Sequence, residues 1–164
     1  MKKKIIASVL LIIAFAGCTL DDICSEDTPT TPLLLIEFRD ITNRLEIKAV
    51  TSLRVLVNDS DTIEAFLGTS DTLVAIPLNT STTISEFQFI KNSGDSINTN
   101  TDIISFTYST QDIYVNRACA FKTVYNGLGV AVEPEVGNEN WIRDFIILND
   151  TIANENEAHL IIFH

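Results

Sequence analysis

Residues 104–109 read Ile104-Ser105-Phe106-Thr107-Tyr108-Ser109, an unbroken alternation of apolar and hydroxyl-bearing side chains. Successive side chains of a strand point to opposite faces, so this stretch predicts a half-buried strand with one apolar and one polar face. The same period appears on both sides of it. Leu34, Ile36 and Phe38 share one face, as do Leu53, Val55 and Val57. Asp71 to Leu78 reads as a strand that Pro77 ends or confines to a sheet edge, because proline cannot donate to a ladder. Ile84 to Ile90 reads as another. Ile113 to Tyr125 reads as the longest strand, with Cys119 and Phe121 on one face. Trp141 to Leu148 and His159 to Phe163 follow. The intervening NSGDS (92–96), NGLG (126–129), VGNEN (136–140) and NDTIANENEA (149–158) carry turn chemistry.

No stretch sustains a 3.6-residue apolar period with caps at both ends. Roughly eight short strands separated by turn clusters predict an all-β chain, a single antiparallel β-sandwich over residues 33–164. An immunoglobulin-like arrangement is compatible with the strand count, and a barrel is the alternative. The cysteine spacing does not match the true immunoglobulin bridge, since Cys24 precedes the first strand. In the last segment both alternating sets, Leu160 with Ile162 and His159 with Ile161 and Phe163, carry apolar groups. That pattern predicts a strand buried on both faces.

The other end of the chain is organised differently. Lys2, Lys3 and Lys4 precede the uncharged apolar run Ile5–Phe15, and Ala16-Gly17-Cys18 closes it. A positive segment, an apolar core of about 7–15 residues and small residues at a cleavage site describe a secretory signal. The run is short of the about 20 residues needed to span a bilayer. Phe15-Ala16-Gly17-Cys18 resembles the bacterial lipobox, although leucine is usual where Phe15 stands. The resemblance implies a signal peptide over 1–17, cleavage before Cys18, and lipidation of Cys18. An ordinary secretory signal ending in cysteine by chance is the bland alternative. Several acyl chains anchor stably because each buried methylene contributes roughly 0.8 kcal/mol. Residues 18–32 then read as an acidic, proline-bearing tether. Asp21-Asp22 within it resembles the signal that sends Bacteroidetes lipoproteins to the cell surface. The expected location is the outer membrane, on a side the sequence leaves open.

Removing Lys2, Lys3 and Lys4 with the signal leaves 8 basic against 22 acidic residues, a formal charge of −14. This argues against nucleic acid as a partner and against docking to anionic lipid headgroups through charge, while a cationic ligand or a divalent ion stays compatible with it. A solvated acidic surface is the plain reading. Cys24 and Cys119 remain after Cys18 is used, an even number in an oxidising compartment. A disulfide between them is expected, with two separate thiols as the alternative.

No catalytic, metal or cofactor motif outweighs its bland reading. His159 and His164 differ by an odd number, so a strand would point them to opposite faces. Asn58-Asp59-Ser60-Asp61 lacks the glycine and the terminal acid of a calcium loop. There is no nucleophile elbow and no Ser-x-x-Lys. Gly127-x-Gly129 lacks the third glycine and the helix of a phosphate loop. No catalytic, cofactor-binding or metal residue is assigned, and no cofactor is expected. Asp61-Thr62-Ile63, Asp71-Thr72-Leu73, Asp95-Ser96-Ile97 and Asp150-Thr151-Ile152 do share one pattern. It resembles the O-glycosylation acceptor motif of Bacteroidetes, which would mark Thr62, Thr72, Ser96 and Thr151. The bland reading is that Asp starts turns and Thr-Ile starts strands.

At CSEDTPTTPLLLIEF (24–38), NRACAFKTVYN (116–126), NWI (140–142) and NENEAHLIIFH (154–164) the chain resembles a family of small uncharacterised lipoproteins of flavobacteria and other Bacteroidetes. The matching positions are Cys24, Thr28, Pro29, Thr31, Pro32, Arg117, Cys119, Trp141, Asn154, Glu155, Asn156, His159 and His164. The resemblance implies export and a role for Cys24 and Cys119, and implies no activity. The expected function is a non-enzymatic binding or assembly module, held to a membrane at Cys18, whose partner is an envelope protein or glycan. A hydrolytic, carbohydrate-active accessory lipoprotein with a carboxylate pair is the first alternative. A purely structural lipoprotein is the second.

Overall fold

The computed structural model describes residues 23–58, 64–67, 70–137 and 139–164. Cys18, Thr62 and the Asp21-Asp22 pair lie outside the described residues. Eleven strands occur among those described: β1 Leu34–Arg39, β2 Val50–Thr51, β3 Arg54–Val57, β4 Glu64–Leu67, β5 Ser70–Asp71, β6 Leu73–Ile76, β7 Ile84–Lys91, β8 Asn100–Asn116, β9 Ala120–Val132, β10 Asp144–Ile147 and β11 Leu160–Phe163. There is no helix among them, so the all-β expectation holds.

Two compact units divide the chain. The larger comprises residues 31–112 and 123–164. In it one sheet has the order β10-β11-β1-β6 and another the order β4-β3-β7-β8-β9, with β2 and β5 as a separate pair. Each large sheet is an open row of strands with two ends and not a closed ring, which makes this a sandwich and not a barrel. The core is the set of inward phases that the sequence showed. Leu34, Ile36 and Phe38 from β1 meet Val55, Phe87, Phe89, Ile104, Phe106 and Tyr108 from the facing sheet. Burying each such side chain contributes about 1.5–3 kcal/mol.

The β1–β6, β10–β11, β2–β5, β3–β4, β3–β7 and β7–β8 ladders are antiparallel, whereas β1 and β11 run parallel with Ile36 opposite Leu160 and Phe38 opposite Ile162. Strand β11 therefore lies between β10 and β1. All four of its residues are buried, as two-sided apolar character requires. Leu160 and Ile162 join the core. On the other side, the Arg44 guanidinium stands over the Phe163 ring at 4.5 Å.

Several sequence expectations are corrected. Ile113–Tyr125 is not one strand. β8 ends at Asn116, a turn occupies 117–119, and β9 starts at Ala120. The Cys119 N–H donates to Asn116 Oδ1 at 2.8 Å, and Ala120 has a φ of 58°. An asparagine side chain closing its own turn is the physical reason. Conversely NGLG is not a turn but lies inside β9. Gly127 takes a φ of 68° there, a backbone that glycine adopts without strain, and Leu128 N–H donates to Asp150 O. The Asp71–Leu78 stretch is two strands, β5 and β6, and β6 is a sheet edge ending just before Pro77. Strands β2 and β4 were not anticipated.

The smaller unit comprises the described residues up to Thr30 together with Ile113–Lys122, the tip of the β8–β9 hairpin. Cys24 and Cys119 form a disulfide within it, with Cα atoms 5.0 Å apart.

Candidate functional site

The end of the sandwich carries an apolar cleft of about 410 Å³, walled by Val57, Pro77, Leu78, Ile84 and Phe87 with Asn58, Asn79, Ser85 and Glu86 between them. It exists because β6 stops at the proline and the chain must turn before β7. Small-molecule pockets fall in about the same size range. Three polar groups at its floor form a closed ring. Asn79 N–H donates to Ser85 Oγ at 2.9 Å, the Ser85 hydroxyl lies 2.5 Å from the Tyr108 hydroxyl, and Tyr108 donates to Asn79 O at 2.8 Å. One orientation satisfies all three contacts: Ser85 gives its proton to Tyr108. Beneath them Tyr125 donates to Leu78 O at 3.0 Å and meets Tyr108 edge-on at 5.1 Å. Burial, with Tyr108 adding to it, pushes the Tyr125 phenol up to about 12. Ser85 is thus held by backbone and phenol, and no base is among its hydrogen-bond partners in the described residues. Glu86 is the one acid lining the cleft among the described residues, and it accepts from Ser105 Oγ at 2.9 Å.

The two histidines do different structural work. His159 Nδ1 accepts the Leu35 N–H at 3.1 Å, which fixes the proton on Nε2, and Nε2 donates to Asn154 O at 3.0 Å. Burial holds its pKa below the ordinary value, against the Asn154 bond and the nearby Glu155 charge. Glu155 itself accepts the Leu33 N–H. His164 Nε2 donates to Lys48 O at 3.2 Å, leaving Nδ1 buried without a partner. Its ring stands edge-on to Trp141 and Phe38. Burial lowers its pKa too, and Lys91 and Lys48 add to the effect. Sequence reading weighed these histidines as a site and did not see that both rings serve the backbone.

Asp102 was missed. It is fully buried, and its carboxylate accepts the N–H groups of Trp141 at 3.3 Å and Ile142 at 2.8 Å. Burial raises its pKa, while those two bonds and the Asn140 side chain oppose the rise. A signal existed: Asp102 stands in the inward phase of Ile104, Phe106 and Tyr108.

No group of three or more His, Cys, Asp or Glu side chains among the described residues is placed to hold a metal. Of the acceptor-like motifs, Thr72 and Ser96 are exposed, and Thr151 is half-buried with its hydroxyl donating to Asp150.

A family model described as a family of unknown function (DUF6452) matches residues 45–164. The matched span contains NRACAFKTVYN, NWI and NENEAHLIIFH and begins after CSEDTPTTPLLLIEF. No curated protein and no solved structure matches the chain.

Proposed function

The chain belongs to the DUF6452 family of unknown function, and from that premise we propose that it is a non-enzymatic envelope lipoprotein of Bacteroidetes type, a binding module that takes an apolar group of an envelope partner in its end cleft. The observation that carries the binding reading is the cleft itself. Its walls are aliphatic and aromatic, its hydroxyls are closed on one another, and one carboxylate lines it among the described residues. Hydrolysis of a glycoside needs two carboxyl groups about 5–9.5 Å apart. A hydrophobic side chain of a partner needs only apolar walls and an oriented polar rim.

The lipid anchor at Cys18, the outer-membrane location and the glycans at Thr62, Thr72, Ser96 or Thr151 belong to the same proposal. They are supported by the layout of residues 2–18 and by the Asp-hydroxyl-aliphatic pattern. A glycan at exposed Thr72 or Ser96 would shield the surface without entering the core.

Two measurements test the reading. The intact mass of the mature N-terminus, with Cys18→Ala as control, should show lipid on Cys18 and loss of membrane partition in the variant. An unmodified N-terminus elsewhere overturns the anchor. For binding, a photo-crosslinking residue at Ile84, on the cleft wall, is irradiated in intact envelopes. A discrete partner adduct is expected, weakened when Phe87→Ala reshapes the wall. Adducts no different from those made at Val136, an exposed turn residue, overturn the cleft.

A further inference from the structure

The smaller unit carries a basic surface with exposed aromatic rings. Residues 113–122, IYVNRACAFK, hold two bases and no acid, within a mature chain of formal charge −14. Tyr114 and Phe121 face each other edge-on across the hairpin tip, ring centroids 5.5 Å apart. They are nevertheless 60% and 62% exposed. Ile113 and, on the tether side, Ile23 are exposed as well. The acids described in this unit, Glu26 and Asp27, belong to the tether and not to the hairpin. An exposed cluster of aromatic and aliphatic side chains marks an interaction surface.

The disulfide says what lies near that surface. Cys119 at the tip is bonded to Cys24, and Cys24 follows Cys18 by six residues. Six residues span at most about 20 Å when fully extended. A lipid on Cys18 therefore keeps the tip within one tether length of the bilayer, at a high effective concentration.

We propose that the hairpin tip docks in the headgroup layer of the phospholipid bilayer that holds the Cys18 lipid, with Tyr114 and Phe121 entering the interface and Arg117 and Lys122 meeting lipid phosphates. The proposal rests on the lipoprotein reading above. Aromatic rings with one wet and one apolar side settle at membrane interfaces. Guanidinium and ammonium groups donate to phosphate oxygens. The acidic remainder of the chain is repelled by anionic headgroups, so the basic tip is the part the bilayer accepts. Lipid and tip together make two attachment points to one bilayer.

The test uses the full mature lipoprotein in phosphatidylethanolamine–phosphatidylglycerol vesicles carrying brominated acyl chains. The one native tryptophan, Trp141, is buried in the sandwich core and supplies a baseline. Phe121→Trp should emit at shorter wavelength on vesicles and be quenched severalfold more than that baseline. Adding Arg117→Ala with Lys122→Ala should reduce the quenching. If the mass shows lipid on Cys18 yet Phe121→Trp stays unquenched, docking is overturned and the anchor stands. If Cys18 carries no lipid, the anchor falls and docking falls with it. Emission unaffected by vesicles but shifted in native envelopes assigns the tip to a protein and overturns the bilayer.

Discussion

Leu35 and His159 exchange two hydrogen bonds: the Leu35 N–H donates to the imidazole Nδ1 at 3.1 Å, and the His159 N–H donates to the Leu35 carbonyl at 2.9 Å. The pair sits at the mouth of the parallel ladder, whose first register is Ile36 opposite Leu160. The ring thus supplies an acceptor where β11 has not yet begun, and Glu155 does the same for Leu33. A buried N–H left without an acceptor costs about 1–3 kcal/mol, so the histidine is part of what lets the two strands meet.

Replacing His159 by Ala should therefore lower stability by about 2–4 kcal/mol, from the orphaned Leu35 N–H together with lost packing. It should also change the pH response. Burial keeps the folded ring neutral, whereas an unfolded histidine titrates near about 6.5. As pH falls below that value the unfolded chain takes up protons that the folded chain refuses. Stability present above about pH 6.5 is lost between there and the lowered folded pKa. His164 has the same sign. Asp102, with a raised pKa, has the opposite sign and loses stability as pH rises above its unfolded value. Urea denaturation at pH 7.5 and 5.5 should show a smaller pH effect in His159→Ala than in the native protein. Equal pH effects would show that the ring is not held neutral.

Deleting residues 159–164 should unfold the sandwich unit. Strand β11 pairs with β1 on one side and β10 on the other, so its loss divides a four-stranded sheet. Leu160, Ile161, Ile162 and Phe163 are all buried, and each contributes about 1.5–3 kcal/mol, against a typical total of about 5–15 kcal/mol. Loss of the cooperative melting transition is expected. A truncated chain that melts like the full one would contradict this position for β11.

Period-2 alternation made the large strands legible, because Ile104, Phe106 and Tyr108 really do face one core. It failed where a local side-chain bond overrides the pattern. Ile113–Tyr125 reads as one strand from its β-branched and aromatic content, yet Arg117 interrupts the phase of Ile113, Val115 and Cys119, and Asn116 closes a turn there. NGLG has turn composition, yet Gly127 takes its left-handed backbone within β9. β2 is only two residues long, too short to carry any period. The parallel neighbour of β1 lies over a hundred residues away, and no local pattern encodes that pairing. The cleft was illegible for the same reason: its walls come from three separate segments. Asp102 was legible in principle, as an acid in the inward phase.

Asp102→Asn should cost about 1–3 kcal/mol. The carboxylate accepts from two adjacent backbone N–H groups, Trp141 and Ile142. Asparagine keeps one acceptor and turns a donor toward the other N–H, so one buried amide is left unsatisfied. Asp102→Leu, which satisfies neither, should cost more. Because Trp141 is the protein's one tryptophan, its emission also reports whether the 140–142 segment moves. Unchanged stability in Asp102→Leu would remove the carboxylate from any structural role.

Replacing Cys24 and Cys119 by Ser together should destabilise the protein mainly through the unfolded chain. The bridge closes a loop with a sequence separation of 95, and the chain-entropy account gives roughly 4–5 kcal/mol for a loop near that length. This is an upper figure, since an unfolded chain with residual structure has less entropy to regain. The same account makes a second demand. Without the bridge the unfolded state is more expanded and exposes more surface, so the urea dependence of stability should steepen while the midpoint falls. Folded-state structure should change little, because the core residues of the sandwich unit include neither cysteine. Paired urea titrations of the native and doubly substituted proteins, with far-ultraviolet circular dichroism as the probe, read both quantities at once. A lower midpoint with an unchanged slope would place the effect in the folded hairpin tip. An unchanged midpoint would mean that the bridge positions the tether without stabilising the fold.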